Sequence, residues 1–123
     1  MRIAVSAQED RGIDSTVAEH FGHAEFFVFV DVENGQMTST NVVPNPYLDG
    51  HAPGQVPAFI SEQKADVMLS GGMGGRAIQF FEGAGVQVAT GAHGSVREAI
   101  ERYLGGALTD AAACDESVRH GHG

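Results

Sequence analysis

The stretch Val67-Met-Leu-Ser-Gly-Gly-Met-Gly-Gly-Arg-Ala77 joins a short apolar segment to a turn with four glycines in five positions. Val67 to Ser70 has the length and apolar content of a buried strand. The residues from about Arg76 to Glu82 have helical spacing, with Ile78 and Phe81 on one side. A strand that passes through a glycine turn into a helix is typical of α/β folds. This stretch therefore predicts the fold class.

Three further strands are predicted upstream of it. Arg2 to Ala7 forms the first, and Glu25 to Val32 forms the second, whose continuous apolar run suits burial on both faces. Asn34-Gly35 is the strongest short hairpin signal, because both central positions of a type I′ turn need positive φ. The third strand, Met37 to Val43, therefore runs antiparallel to the second, and its polar content suits a sheet edge.

The remaining elements follow from local signals. Pro44 to Gly54 contains three prolines and two glycines and is predicted to be a loop, followed by a helix from near Pro57 to about Lys64. Val86 to Thr90 is a fifth apolar strand. Ser95 and Glu98 have the spacing of a capping box, which predicts the start of the last helix.

The element order βββαβαβα predicts a five-stranded mixed sheet flanked by helices. Right-handed crossovers make the first, fourth and fifth strands parallel neighbours, and the second and third strands extend the other edge. Ligands bind such sheets at the carboxyl ends of the parallel strands, where the turn 71–75 lies. We expect residues 1–108 to form a single domain and residues 109–123 to be a flexible tail, because helical and strand periodicity ends there.

Composition restricts the function classes. The chain has 123 residues, and its longest apolar stretch, Phe26 to Val30, is far below the roughly 20 residues that a membrane span needs. We expect a cytoplasmic protein with no membrane partner. With 16 acidic and 7 basic residues, the net charge of -9 argues against nucleic-acid binding. A single cysteine, Cys114, excludes an internal disulfide and a cluster held by four cysteines of one chain.

The turn from Gly71 to Gly75, called the glycine turn below, is a candidate anion site. Glycines let the backbone approach a ligand closely, and the N–H groups at the start of the following helix are unpaired and partly positive. A cation at a helix start is unfavourable by a few tenths of a kcal/mol, which makes sense if Arg76 faces an anion. The alternative is a tight turn with an exposed arginine. The candidate binding residues are Gly71, Gly72, Met73, Gly74, Gly75 and Arg76, with the Met73 side chain expected to act as an apolar lid.

A nucleotide or phosphometabolite is an alternative ligand for the same turn. Residues Gly72 to Ala77 fit the G-x-G-x-x-A dinucleotide pattern between a strand and a helix. However, the strand that follows, Val86 to Thr90, lacks the acidic residue that should end it, and no GxxxxGK[ST] motif occurs. A third possibility is a protein-interaction domain without a small ligand.

Histidines provide a second candidate set. His20 and His23 are three residues apart and can share a metal ion if the segment makes a helical turn. His51 and His93 are candidates for further ligands, and both are expected in loops. His93 and Gly94 directly follow the fifth strand, on the predicted ligand face.

The C-terminal segment contains Cys114, His120 and His122, one thiol and two imidazoles that could bind a soft metal ion. A flexible tail is the preferred interpretation of this segment.

Catalysis is not indicated by the serines. The Gly-x-Ser-x-Gly motif is absent, and Ser6, Ser70 and Ser95 have structural roles at a strand end, a turn and a helix cap. The sequence therefore predicts a protein that is not an enzyme.

Four motifs occur in a recognisable order: Phe21-Gly-His-Ala24, His51-Ala-Pro-Gly54, Ser70-Gly-Gly-Met-Gly-Gly-Arg-Ala77 and Gly91-Ala-His-Gly-Ser-Val-Arg-Glu-Ala99. Together they resemble the dinitrogenase iron-molybdenum cofactor biosynthesis family, and the resemblance extends over most of the chain before the tail. It implies a ribonuclease H-like five-stranded mixed sheet. It also implies a non-enzymatic carrier of a molybdenum-containing or iron-sulfur cluster or its precursor, with cluster donor or acceptor proteins as partners.

The same family includes small orange proteins, which carry a molybdenum-copper sulfide cluster without covalent attachment. By this resemblance, an anionic cluster would lie between the glycine turn, the loop 91–94 and the segment 20–23. Backbone N–H groups and Arg76 would face its sulfurs. One departure is His23, which stands where the family often has arginine.

Overall fold

The computed structural model describes residues 1–48 and 54–108. Its elements in chain order are β1 (Arg2–Ala7), a 3-10 turn (Gly12–Asp14), a second 3-10 turn (Phe21–His23), β2 (Phe26–Glu33), β3 (Gln36–Pro44), α1 (Gln55–Glu62), β4 (Val67–Leu69), α2 (Gly75–Gly83), β5 (Gln87–Ala89) and α3 (Val96–Leu104). The predicted order of strands and α-helices is confirmed. Within the described ranges, no helix has both the length and the apolar content to cross a membrane.

The five strands form one mixed sheet in the order β3-β2-β1-β4-β5. β1 pairs with β4 in parallel and with β2 antiparallel, and β5 extends the parallel side. The predicted hairpin joins β2 to β3, where Asn34 and Gly35 have φ of 54° and 77°. This is the ribonuclease H-like arrangement that the resemblance implied, and it places the ends of β1 and β4 at the centre of one sheet edge.

The first helix differs from its predicted bounds. It begins at Gln55, two residues before Pro57, and ends at Glu62 rather than near Lys64. Pro57 is tolerated because residues in the first helical turn have no intrahelical acceptor for their N–H groups. The helix cannot continue to Lys64, because that residue has a left-handed φ of 64°.

Helices cover both faces of the sheet, which explains why the central strands are buried on each side. Alternate residues of β1 enter different cores: Ala4 faces α1 and α2, whereas Ile3 and Val5 face α3. On the α1 and α2 side, the ring of Phe21 from the second 3-10 turn stands edge-on to that of Phe81, with 5.6 Å between the centroids. This turn is thereby attached to the core.

The start of α3 confirms the predicted capping box. The Ser95 hydroxyl accepts from the Glu98 amide at 3.1 Å, and the Glu98 carboxylate accepts from the Ser95 amide at 3.0 Å. These hydrogen bonds hold the pKa of Glu98 below its ordinary value. Both interactions are local in sequence, and the Val96 amide also donates to the Ser15 carbonyl at 2.9 Å, so the helix start is attached to the segment before β2 as well.

Two neighbouring phenylalanines of α2 test this packing. Phe81 is completely buried and Phe80 is 41% exposed. Phe81→Ala should lower the free energy of unfolding by about 3–5 kcal/mol, because it removes transfer energy and leaves a cavity. Phe80→Ala should cost about 1 kcal/mol or less. Chemical denaturation of both variants gives the comparison, and equal losses would contradict the described packing.

Candidate functional site

The candidate site lies at the sheet edge where β1 and β4 end. Here the backbone around His20 pairs in parallel with Gly72. The Phe21 amide donates to the Gly72 carbonyl at 2.8 Å, and the Gly72 amide donates to the Glu19 carbonyl. The segment before β2 is thus held against the glycine turn by main-chain hydrogen bonds.

The segment also makes the helical turn that a shared site for His20 and His23 requires. The 3-10 turn Phe21–His23 brings the two imidazoles to a centroid distance of 6.2 Å, with their planes 80° apart. Both side chains are exposed, and Phe21 between them is buried. Burial of the phenylalanine therefore directs both imidazoles to the surface.

Gly71 has a packing role. A Cβ atom at this position would come within 2.6 Å of the Glu19 carbonyl oxygen and 2.8 Å of the Ala18 carbonyl oxygen. The Gly71 amide donates to that Ala18 oxygen at 3.2 Å. Because the Gly71 and Gly72 amides are already paired, the expectation that they face an anion is corrected.

The backbone amides that follow Gly72 differ from these two in their hydrogen bonding. Across residues 1–48 and 54–108, no protein acceptor is found for the N–H groups from Met73 to Ala77. The first bond at the start of α2 runs from the Ile78 amide to the Gly74 carbonyl at 3.2 Å, and Gly74 provides no side-chain cap. The start of α2 therefore offers a run of unpaired donors with partial positive charge.

Met73 does not form the expected lid. Its side chain is 1% exposed and packs in the core between the sheet and α2. The prediction placed it at the tip of an isolated turn, but pairing with the segment 18–21 directs the thioether inward. Met73 is buried as a whole residue, so its side chain forms part of the floor beneath the site rather than a cover over it.

Two adjoining cavities surround the start of α2. The first, called the histidine pocket, has a volume of about 230 Å³ and is lined by His20, Phe21, Gly22, His23, Gly72, Met73 and Gly74. The second, called the α2 cleft, has a volume of about 510 Å³ and is lined by Phe21, Gly22, Gly54, Val56, Pro57, Gly74, Arg76, Ala77 and Phe80. They meet at Phe21, Gly22 and Gly74, so a ligand at the α2 start can contact both.

Arg76 is an exposed cation at the rim of the α2 cleft. Within the described ranges, its guanidinium has no hydrogen-bond or ion-pair partner. In contrast, Arg2 pairs with Asp31 at 2.9 Å and Arg97 with Asp14 at 3.8 Å. Arg76 thus supplies an unneutralised positive charge beside the unpaired amides.

The loop 91–94 joins the site through its backbone. The Gly91 amide donates to the Gly71 carbonyl at 2.7 Å, and the Gly94 carbonyl accepts from Val17 at 2.9 Å. The imidazole of His93 lies beside α3, where its Nε2 is 3.1 Å from Nη1 of Arg102. A ligand role for His93 and Gly94 stays a prediction.

The described residues do not assemble a multi-ligand metal centre. No group of three or more histidine, cysteine, aspartate or glutamate side chains with metal-binding spacing occurs in residues 1–48 and 54–108. The other predicted ligands, His51, Cys114, His120 and His122, lie outside the described residues. The described part of the site therefore offers two imidazoles, a guanidinium and backbone amides.

Comparison with known proteins assigns the chain to a family. Residues 1–106 match the family described as dinitrogenase iron-molybdenum cofactor. The chain belongs to this family. Membership indicates a role related to cofactor binding or carriage, and the matched range includes both cavities.

Individual members of this fold are similar along most of their length. The crystal structure of PH0822 has a TM-score of 0.79 at 40% identity, covering 89% of this chain and 96% of that protein. The apo orange protein of Desulfovibrio gigas has a TM-score of 0.80 at 31% identity, covering 91% and 93%. An uncharacterised protein of Methanocaldococcus jannaschii is 27% identical over 110 residues, covering 88% and 89%. The sheet and its helices are therefore a shared framework.

Sequence reasoning did not identify the pairing of residues 18–21 with the glycine turn. The available signal was the number of glycines, which was attributed to a ligand although one of them is needed for backbone contact. The pairing partner is about 50 positions away in sequence, as the Phe21–Gly72 hydrogen bond shows. Local patterns do not report such contacts.

Substitution of Gly71 tests the close contact. Gly71→Ala should lower the free energy of unfolding by about 1–3 kcal/mol, because the added methyl group overlaps two carbonyl oxygens. Gly83→Ala is the matched control, since a Cβ there meets nothing within 4 Å. It should be neutral or stabilising, and thermal unfolding compares the two. Equal stability of the two variants would show that the segment 18–21 does not press on Gly71.

Proposed function

We propose that this protein is a non-enzymatic carrier of an anionic metal-sulfide cluster, held without covalent attachment at the start of α2. The observation that carries the proposal is the position of Arg76 next to the start of α2. Among residues 1–48 and 54–108, neither its guanidinium nor the amides from Met73 to Ala77 have a protein partner. The imidazoles of His20 and His23 line the adjoining histidine pocket. These groups line two adjoining cavities, and in the proposal they contact one ligand.

Electrostatics favours an anion at this place rather than elsewhere on the surface. The chain has a net charge of -9, so an anion is repelled by most of the protein. The helix start and Arg76 provide local positive potential. Charge-assisted hydrogen bonds from amides and a guanidinium are the strong kind that can hold sulfide ligands without a protein-metal bond.

The donor set suits a preassembled cluster better than a single metal ion. A closed zinc site needs four ligands, and the described residues of the site offer two imidazoles. The only cysteine of the chain, Cys114, lies outside the described residues. Molybdenum, with copper or iron, is the proposed metal content, supported by family membership and by similarity to an orange protein. The proposed partners are proteins that donate the cluster or accept it. The proposed compartment is the cytoplasm.

A nucleotide or phosphometabolite is the second candidate ligand. The α2 cleft favours it, because mostly apolar side chains such as Val56, Pro57 and Phe80 lie beside Arg76 and could receive a base. Thermal unfolding with added ligands separates the two. Stabilisation by tetrathiomolybdate with Cu(I), but not by nucleotides, supports the cluster, and the opposite result reverses the order.

Substitution of Arg76 tests the electrostatic part of the proposal. Arg76→Gln should weaken binding of tetrathiomolybdate with Cu(I) at least about tenfold, because it removes a hydrogen bond to a charged group. Arg97→Gln is the control, since it also removes one exposed arginine, and Arg97 pairs with Asp14 and lines neither the α2 cleft nor the histidine pocket. Anaerobic titration followed by absorbance measures both. If the two variants bind equally, Arg76 is not part of the site.

Three histidine variants define which imidazoles contact the cluster. His20→Ala and His23→Ala should each weaken binding by about fivefold, as expected for loss of one hydrogen bond or ligand. They should also shift the charge-transfer bands of the bound cluster. His93→Ala tests the predicted ligand role of His93, whose imidazole lies against Arg102. Unchanged affinity and unchanged bands would exclude this imidazole from the site. A band shift in His93→Ala would instead include the loop 91–94 in the site.

A further inference from the structure

Two buried serines lie directly beneath the candidate site. Ser6 near the end of β1 and Ser70 just after β4 are both completely buried. The Ser6 hydroxyl donates to the Ser70 oxygen at 2.8 Å, and the Ser70 hydroxyl donates to the Gly72 carbonyl at 3.3 Å. The hydroxyls therefore form a chain that runs from the centre of the sheet to the glycine turn.

The Gly72 carbonyl at the end of this chain accepts two hydrogen bonds. One comes from Ser70, and the other comes from the Phe21 amide at 2.8 Å. Phe21 is the first residue of the 3-10 turn that presents the two imidazoles. The Gly72 carbonyl, just before the start of α2, is therefore hydrogen-bonded to the turn that carries His20 and His23.

The same two serines anchor the other loops through their backbones. The Ser6 carbonyl accepts from the Ala18 amide at 3.0 Å, and the Ser70 carbonyl accepts from the Ala92 amide at 3.1 Å. Side chain and backbone together connect the segment 17–23, the glycine turn and the loop 91–94. A buried hydroxyl needs a partner, so each serine constrains the other.

We propose that Ser6 and Ser70 form a positioning pair that sets the geometry of the cluster site. Ser70 orients the Gly72 carbonyl, and Ser6 orients the Ser70 hydroxyl so that its proton points to that carbonyl. The pair holds His20 and His23 at a fixed distance from the α2 amides without touching the ligand. Its effect on affinity rests on the proposed cluster-binding function, but its effect on the Phe21 amide does not.

Four variants test the pair: Ser70→Ala, Ser6→Ala, the double variant, and Ser15→Ala as control. Ser15 is equally buried, and its hydroxyl accepts from the Arg11 amide at 2.9 Å outside this chain of bonds. Hydrogen exchange of the Phe21 amide, measured by NMR without ligand, is the first readout. Affinity for tetrathiomolybdate with Cu(I) is the second, together with the absorbance bands of the bound form.

In Ser70→Ala, we expect the Phe21 amide to exchange about tenfold faster while the amides of β1 keep their protection, because the Gly72 carbonyl that accepts from Phe21 is no longer held in position by the Ser70 hydroxyl. Affinity should fall by a similar factor, with shifted absorbance bands. Ser6→Ala should change the same exchange rate, affinity and absorbance bands to a smaller extent. The double variant should match Ser70→Ala, because both changes act through one hydroxyl. Ser15→Ala should leave both readouts unchanged.

Unchanged Phe21 exchange in Ser70→Ala overturns the proposal, and so does additive behaviour in the double variant. The proposal is also overturned if Ser70→Ala speeds hydrogen exchange of amides throughout the protein and Ser15→Ala does the same. Ser6 and Ser70 would then be ordinary core residues. If Ser70→Ala does not fold, Ser6→Ala decides the question by the same exchange measurement. If the wild-type protein binds no thiomolybdate, the proposed function fails, and the exchange readout still decides the positioning role.

Discussion

The close approach of two backbones at Gly71 is the constraint on which the site depends. Only a residue without a side chain lets Ala18 and Glu19 come so near to the turn after β4. This contact brings the 3-10 turn, and with it His20 and His23, to the start of α2. Without it, the imidazoles and the helix start would belong to separate loops.

The electrostatic character of the site follows from what remains after this contact is satisfied. The amides of Gly71 and Gly72 are paired with backbone carbonyls, whereas the amides from Met73 to Ala77 have no acceptor in the part of the chain that the structure describes. Arg76 adds a full charge in a chain that is otherwise strongly acidic. A small positive region on a negative protein favours a compact anion over an extended polyanion such as nucleic acid.

How well a feature could be predicted from the sequence depended on how far apart in sequence the interacting residues are. The hairpin at Asn34-Gly35 and the capping box of Ser95 and Glu98 were predicted correctly, because each depends on residues within four positions. The end of α1 was misplaced, because the left-handed Lys64 carries no compositional signal. Met73 was assigned to the ligand, because its burial depends on a segment distant in sequence. The same limit applied to the Ser6–Ser70 pair, whose members are 64 positions apart.

The sequence by itself determined the fold class, the strand order and the candidate region. Apolar periodicity, turn chemistry and ordered motifs are local properties, and connection rules convert them into a sheet. The tertiary structure decided which groups of that region are available. A glycine amide is a ligand donor or an internal hydrogen bond depending on the segment packed against it, and only the folded chain brings that segment into contact.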